Sequence, residues 1–302
     1  MPLALGDKEG WVQLLRADPR AFNAEKAAFA GRRIELRGAD LAGLDLTRAD
    51  ITRLDLTGAD LSRCRVGGLG LMLCRIEGVA LDGLTTDDGM DEDVRTLALL
   101  WKDPEAFNEA RTPLLTLDGA ELDGADLGAA DLRRLGLSGA NLAWANLSRC
   151  QLDGAYLRKT RLLGACLQGA RIDRAHLDGA DLREADARGA TFHFARMDGA
   201  LLGRARFDGA TFHGCAMGSV QADDAHFLEA TFQHTSPYLG AFARADFSGA
   251  HFEHCCFNAC ALPGARFSGA TALELAFRDS DLTGAELVGM LGSAPTFERV
   301  RH

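Results

Sequence analysis

The 302-residue chain has no apolar run of membrane-spanning length, and neither a secretory leader nor a transit peptide is legible at its start. Both absences point to a cytoplasmic protein, with secretion by a leaderless route left open. The eight cysteines do not fall at zinc-ligand spacings. No Ser, Cys or Asp nucleophile stands beside a base except through a periodicity described below, so no catalytic residue, cofactor or resident metal is expected. The short glycine run Gly67-Gly68-Leu69-Gly70 has no strand–loop–helix context, which removes the phosphate-loop reading. Membrane, redox-cofactor and hydrolytic classes therefore find no support.

What the chain does have is a five-residue period. From Leu117 to Leu287 every fifth residue is large and apolar, except Ala187, Ala222, Pro237 and Ala272. Two residues before each of these centres stands a small residue, usually Ala, with only four exceptions. A second stretch repeats the pattern from Leu36 to Leu81. Five matches neither the 3.6-residue helix nor the two-residue strand. It describes a chain that turns inward at regular intervals, a solenoid. The large centre fills the axis, and the small residue lets the wall close. Glycine recurs at the corner, as in Gly124, Gly139 and Gly154, where turns need unusual dihedrals. Six cysteines (Cys64, Cys74, Cys150, Cys215, Cys255, Cys260) occupy the small inward slot and read as reduced core residues.

Runs such as Leu122-Asp123-Gly124-Ala125-Asp126-Leu127 resemble the A(D/N)LXX pattern of the pentapeptide repeat family. The resemblance covers the chain outside residues 1–33, 86–111 and the last dozen. It implies an all-β solenoid, a right-handed quadrilateral β-helix with four repeats per coil, one to a face. At strand spacing, about 4.8 Å per coil, the long array becomes roughly nine coils. Taking every twentieth centre then recovers single faces. One such series runs Leu132, Leu152, Ile172, Phe192, Phe212, Phe232, Phe252, so the core should change from leucine to phenylalanine partway along.

The chain thus divides into a helical N-terminal cap (1–33), a short β-helix (34–85), a helical linker or cap (86–111), the main β-helix (112–290) and a C-terminal tail (291–302). The two helical segments are partial duplicates: Asp18-Pro19 and Asp103-Pro104 each read as an N-cap followed by proline in the first turn. Their expected duty is to cover open solenoid ends, which otherwise expose apolar cross-section and unpaired edges. An open end could also receive a second copy, giving a homodimer. Around Pro237 a proline holds the centre position and the phase resumes at Phe242, so either that face is distorted or residues 235–239 leave as a loop.

Candidate sites are few. His193 and His213 hold the same outward position one coil apart, and His234 and His254 do likewise in the next column, with His251 and an outward ladder of Thr191, Thr211, Thr231 and Thr271 nearby. These histidines are the candidates for a transition-metal site, against the alternative of an ordinary polar face. Trp144, at an outward or corner position, and Pro237-Tyr238 interrupt the polar coat and are candidates for contacting a partner, Trp144 with the alternative of packing under 91–111.

Two functions stay open. The first is a non-enzymatic module that binds a protein through its rigid outer surface; relatives of this kind include secreted effectors and proteins encoded beside bacterial secretion systems. The second is DNA mimicry, as in relatives that confer fluoroquinolone resistance and bind DNA gyrase. A structural protein without a defined partner is a third. The net charge of −10 suits mimicry, but half of it lies in 86–111, which holds 8 acids and 3 bases. The best acidic row is Asp40, Asp45, Asp50, Asp55 and Asp60, interleaved with Arg48, Arg53 and Arg63. A mimic needs a coherent negative field, and direct nucleic-acid binding is not expected.

Overall fold

A computed structural model of the protein describes residues 3–4, 6–29, 32–112 and 115–302. The chain divides into two compact units, one of residues 1–115 with 119–121, the other of 116–118 with 122–302.

The second unit is the long right-handed quadrilateral β-helix. Parallel bridges join residues twenty apart, as in the run Asp126, Asn146, Cys166, Asp186, Arg206, so each coil holds four repeats. One repeat shows the construction. The Leu122 amide donates to the Asn141 carbonyl of the next coil at 2.8 Å, and Ala125 N–H closes a turn onto the Leu122 carbonyl at 3.2 Å. Between them Gly124 sits at φ +68°, the second central position of a type II turn. Where glycine is missing there, L-residues take the same left-handed conformation, among them Arg134, Trp144, Arg174 and Phe194. Each costs about 1 kcal/mol, a strain the inter-coil ladder must hold.

Centres and slots are buried as the period requires: Leu147, Ala145, Phe247 and Ala250 are all fully inaccessible. A polar residue in the small slot finds one recurrent partner. Cys150 Sγ donates to the Leu127 carbonyl (2.7 Å), Thr160 Oγ1 to Leu137 (2.7 Å) and Ser280 Oγ to Phe257 (3.1 Å), in each case 23 residues back. Toward the C-terminus the core is stacked phenylalanine. Phe192, Phe212, Phe232 and Phe252 lie ring on ring at 4.9, 4.8 and 5.2 Å, with Phe207, Phe227, Phe247 and Phe267 in a parallel column. Offset stacking of this kind adds roughly 0.5–1.5 kcal/mol per pair beyond burial. There the wall flattens into the eight-residue strands His251–Asn258 and Thr271–Arg278.

Two expectations are corrected here. No loop leaves at residues 235–239: Gly218, Tyr238 and Asn258 bridge in unbroken twenty-residue register. Thr235 fills the small slot, accepting from Cys215 N–H at 3.2 Å, and Pro237 points inward and is buried. Proline cannot donate to the ladder, but the Pro237 carbonyl still accepts from Asn258 N–H at 3.0 Å, and Cys256 N–H donates to the Ser236 hydroxyl at 3.1 Å. Nor is 291–302 a tail. Thr296–Glu298 pairs with Ala276–Arg278, and Phe297 stacks on Phe277 at 5.6 Å.

The first unit carries helices α1 (Lys8–Ala17) and α2 (Pro19–Ala27), a shorter β-helix, and α3 (Gly68–Met72), α4 (Asp91–Lys102) and α5 (Pro104–Ala110). Both Asp-Pro caps form: Asp18 accepts from Arg20 and Ala21 N–H, and Asp103 from Ala106 N–H. Trp11, Leu15 and Phe22 bury one face of the α1–α2 pair. Side chains of α2 then satisfy edge groups of the first coil. Asn23 donates to the Arg48 carbonyl (3.0 Å) and accepts from Asp50 N–H (2.6 Å), and Lys26 donates to the Asp50 carbonyl (2.7 Å). Helix α3 was not expected. Leu69 stands where a small slot residue is needed; a helical turn swings it outward, and Asp88 accepts from the freed Gly68 and Leu69 amides at 3.1 and 2.9 Å. Among the described residues no helix is long and apolar enough to cross a membrane.

Candidate functional site

One face of the long β-helix gathers most of the chemistry. It is built from the repeats centred on Leu132, Leu152, Ile172, Phe192, Phe212, Phe232 and Phe252, whose buried centres hold the outward residues at coil spacing. The four expected histidines lie here in their two adjacent columns, and their rings form one contiguous run. Ring centroids are 6.0 Å apart for His193–His213, 5.5 Å for His213–His234 and 4.9 Å for His234–His254, the last pair stacked. Neighbours engage some of their nitrogens: His254 Nδ1 is 2.7 Å from a Glu274 carboxylate oxygen, and His251 Nδ1 is 2.6 Å from the Thr271 hydroxyl. Among the described residues no three or more His, Cys, Asp or Glu side chains gather as a metal-binding group.

Beside the histidines, the corner of the same face forms a cleft of about 320 Å³. Its corner column reads Arg134, Gly154, Arg174, Phe194, each at positive φ. Arg171 crosses the face and holds Asp153 at 3.1 Å, with Asp173 at 3.8 Å. Asp173 also accepts the His193 backbone N–H at 2.9 Å. Phe194 is about half exposed (52%) and its ring meets His213 edge-on at 5.0 Å. This cleft was missed in the sequence. It becomes visible only when corner residues, not centres, are read at every twentieth position.

The expected partner-contacting residues are not brought together. Trp144 is 62% exposed, at φ +62° on another corner, and its ring lies over Gly164 one coil on. Tyr238 and Leu239 are exposed, whereas Pro237 is inside and unavailable to a partner, a correction to the expected contact surface. Trp144 and Tyr238 lie more than four coils apart along the stack, roughly 20 Å at strand spacing.

The acidic row is likewise not a stripe. Residues five apart occupy successive faces, so Asp40 shares a column with Asp60, Asp45 with Arg65 and Asp55 with Arg75. Cations meet four of its five members: Arg16 at Asp40 (3.4 Å), Arg65 at Asp45 (3.7 Å), Lys26 at Asp50 (2.8 Å) and Arg37 at Asp55 (2.8 Å). Asp55 is buried. Burial alone pushes its carboxyl up, but the Thr57 and Arg37 hydrogen bonds outweigh it and hold the group below the usual carboxylate range. The slot thiols behave oppositely: burial raises Cys74, Cys150 and Cys215 to about 12, leaving them protonated and unreactive. All eight cysteines are free.

The pentapeptide repeat family model matches residues 32–68, 137–174, 165–204 and 245–284, with eight copies of the repeat. Similar solved structures include HetL, a pentapeptide repeat protein involved in heterocyst differentiation regulation in the cyanobacterium Nostoc, at 20% identity over 91% of this chain and 92% of that one (TM-score 0.28). QnrB1, a plasmid-mediated fluoroquinolone resistance protein, is 15% identical over 83% of this chain and 88% of that one (TM-score 0.34). A pentapeptide repeat protein of the Arabidopsis thaliana thylakoid lumen is 24% identical over 35% and 66% (TM-score 0.22). No curated protein matches the chain.

Proposed function

This chain belongs to the pentapeptide repeat family, and from that premise we propose that it is a non-enzymatic interaction module that holds a protein partner on the outer surface of its long β-helix. One observation carries the reading. Trp144 is a large aromatic residue held in a left-handed conformation that stability disfavours, with its ring laid on a bare glycine and most of its surface in solvent. Tryptophan is enriched at binding hot spots. The fixed coil spacing keeps the ring in place, so little side-chain entropy is lost on contact. The reading includes a cytoplasmic setting, which keeps eight free thiols reduced.

The pairing of the acidic row speaks against DNA mimicry, because charges spread around four faces and matched by Arg and Lys make no coherent negative field.

The test is a comparison of glycine variants in affinity capture from the native host. Trp144→Gly should lose the partner while keeping its melting temperature, whereas Ala129→Gly, at another left-handed corner, should keep both. Equal capture by the two variants would remove the Trp144 surface. DNA gyrase inhibition by the wild-type protein that weakens steeply with salt, and that is abolished by Asp40→Lys with Asp45→Lys, would replace this reading with mimicry.

A further inference from the structure

We propose that the corner cleft between Arg134 and Arg174 is a binding site for a phosphate group, presented either as free phosphate or on a mononucleotide whose base lies against Phe194. The cleft is lined by three guanidiniums and two carboxylates. Both carboxylates are already engaged, Asp153 by Arg171 and Asp173 by Arg171 and the His193 amide. Arg134 and Arg174, by contrast, have no ion-pair partner among the described residues; many exposed arginines of the β-helix are paired, as Arg244 is with Asp224 and Arg183 with Asp181, and of the unpaired ones these two line one cleft.

The corner column explains why the space between them is open. Gly154 separates Arg134 from Arg174; it has no side chain, so the stem of Arg134 lies over it, with Cγ 3.5 Å from where a Cβ would stand, and both arginines line one cavity. Their Cα atoms stand two coils apart, about 10 Å at strand spacing, a span that two arginine side chains bridge when one anion sits between them. Arginine forks donate paired N–H groups to oxyanions. A phosphate dianion offers three oxygens to two forks, and its double charge gains more than a monoanion's does from a lining of three guanidiniums against two carboxylates. Phe194 is exposed at the cleft's end and braced by the bare Gly214, where an added Cβ would come within 2.8 Å of its ring. That gives the site a flat apolar wall for a base.

The full-length protein can be titrated with inorganic phosphate, adenosine monophosphate and adenosine in separate arms, following backbone amide shifts of Gly154, Arg174 and Phe194. Both phosphate-bearing probes should give saturable shifts, the mononucleotide more tightly, and adenosine none. Arg134→Gly and Arg174→Gly should each weaken binding about tenfold or more, as loss of a charge-assisted contact does. Both positions have positive φ, which glycine accepts, so neither change threatens the fold. Arg149→Gly, at a different left-handed corner, should leave affinity unchanged. Phe194→Gly should weaken the mononucleotide alone; if it changes neither probe and both bind equally, the ligand is free phosphate and the site stands. No saturable binding by either phosphate probe, equal binding by the Arg134→Gly/Arg174→Gly double variant, or adenosine binding as tightly as its monophosphate would overturn the proposal.

Discussion

The indole ring of Trp144 lies across the bare α-carbon of Gly164, one coil further on, so that a Cβ at residue 164 would fall among the ring's Cε3, Cζ3 and Cη2 atoms. Gly164→Ala therefore forces the ring out and also places a side chain at φ +65°. A loss of roughly 1–3 kcal/mol is expected, read as a lower melting temperature with a changed tryptophan emission spectrum. An unchanged spectrum would mean that the ring does not rest there.

Trp144→Gly should do the reverse. Removing an L-residue from φ +62° relieves about 1 kcal/mol of strain, while little buried surface is lost from a side chain that is mostly in solvent. The variant should melt at or slightly above the wild-type temperature in a calorimeter.

Inward positions should be unforgiving. Leu147 and Phe247 are fully buried, and replacing either with Asp puts an unpaired charge in the axis, which should abolish cooperative thermal unfolding. Leu147→Ala should cost about 2–5 kcal/mol. Thr160→Ala, which loses only the hydroxyl bond to the Leu137 carbonyl, should cost about 1 kcal/mol.

Buried Asp55, held by Thr57 and the exposed Arg37, makes a pH prediction. The folded-state carboxyl lies below its ordinary value, so the folded protein binds fewer protons there than the unfolded chain does. The stabilisation is complete above the ordinary aspartate value, near pH 4, and is lost as pH falls through the lower folded value. Asp55→Asn should flatten the acid limb of the denaturation curve and change it little at neutral pH apart from a constant loss.

Thiol accessibility follows the slot rule. Cys166 and Cys256 are half-buried and the other six cysteines are buried. In the native protein a thiol reagent should modify these two alone, and all eight after denaturation. Rapid native labelling of Cys150 would contradict its place in the core.

Most of the wall was legible because inward residues repeat. Leu147, Ala145 and the Phe192–Phe252 column occupy the positions that the five-residue period assigns them. The period misled where one residue type has two readings. Proline usually ends a ladder, yet Pro237 keeps the centre, where its ring is buried and its carbonyl still accepts from Asn258 N–H. Gly292 in a centre position hid the last coil, although Phe297 resumes the phase. A large residue in a small slot has two outcomes: Leu135 and Leu275 are buried in place, whereas Leu69 swings outward on helix α3. The corner cleft escaped because its residues share no composition, only a column.

That column has a consequence for insertion and deletion. Removing twenty residues from the long β-helix takes out one coil and leaves every downstream residue above its former neighbours' column. Removing five between Arg134 and Gly154 turns everything downstream by a quarter revolution, while the core, seeing only another apolar centre, still packs. Arg134 would then stand under a residue from a different side, and the Arg134–Gly154–Arg174–Phe194 alignment would vanish without any of those residues being changed. In this molecule the angular phase of the chain is a heritable property separate from its stability, and a surface feature can be dismantled by a frame-preserving deletion that a melting curve would scarcely register.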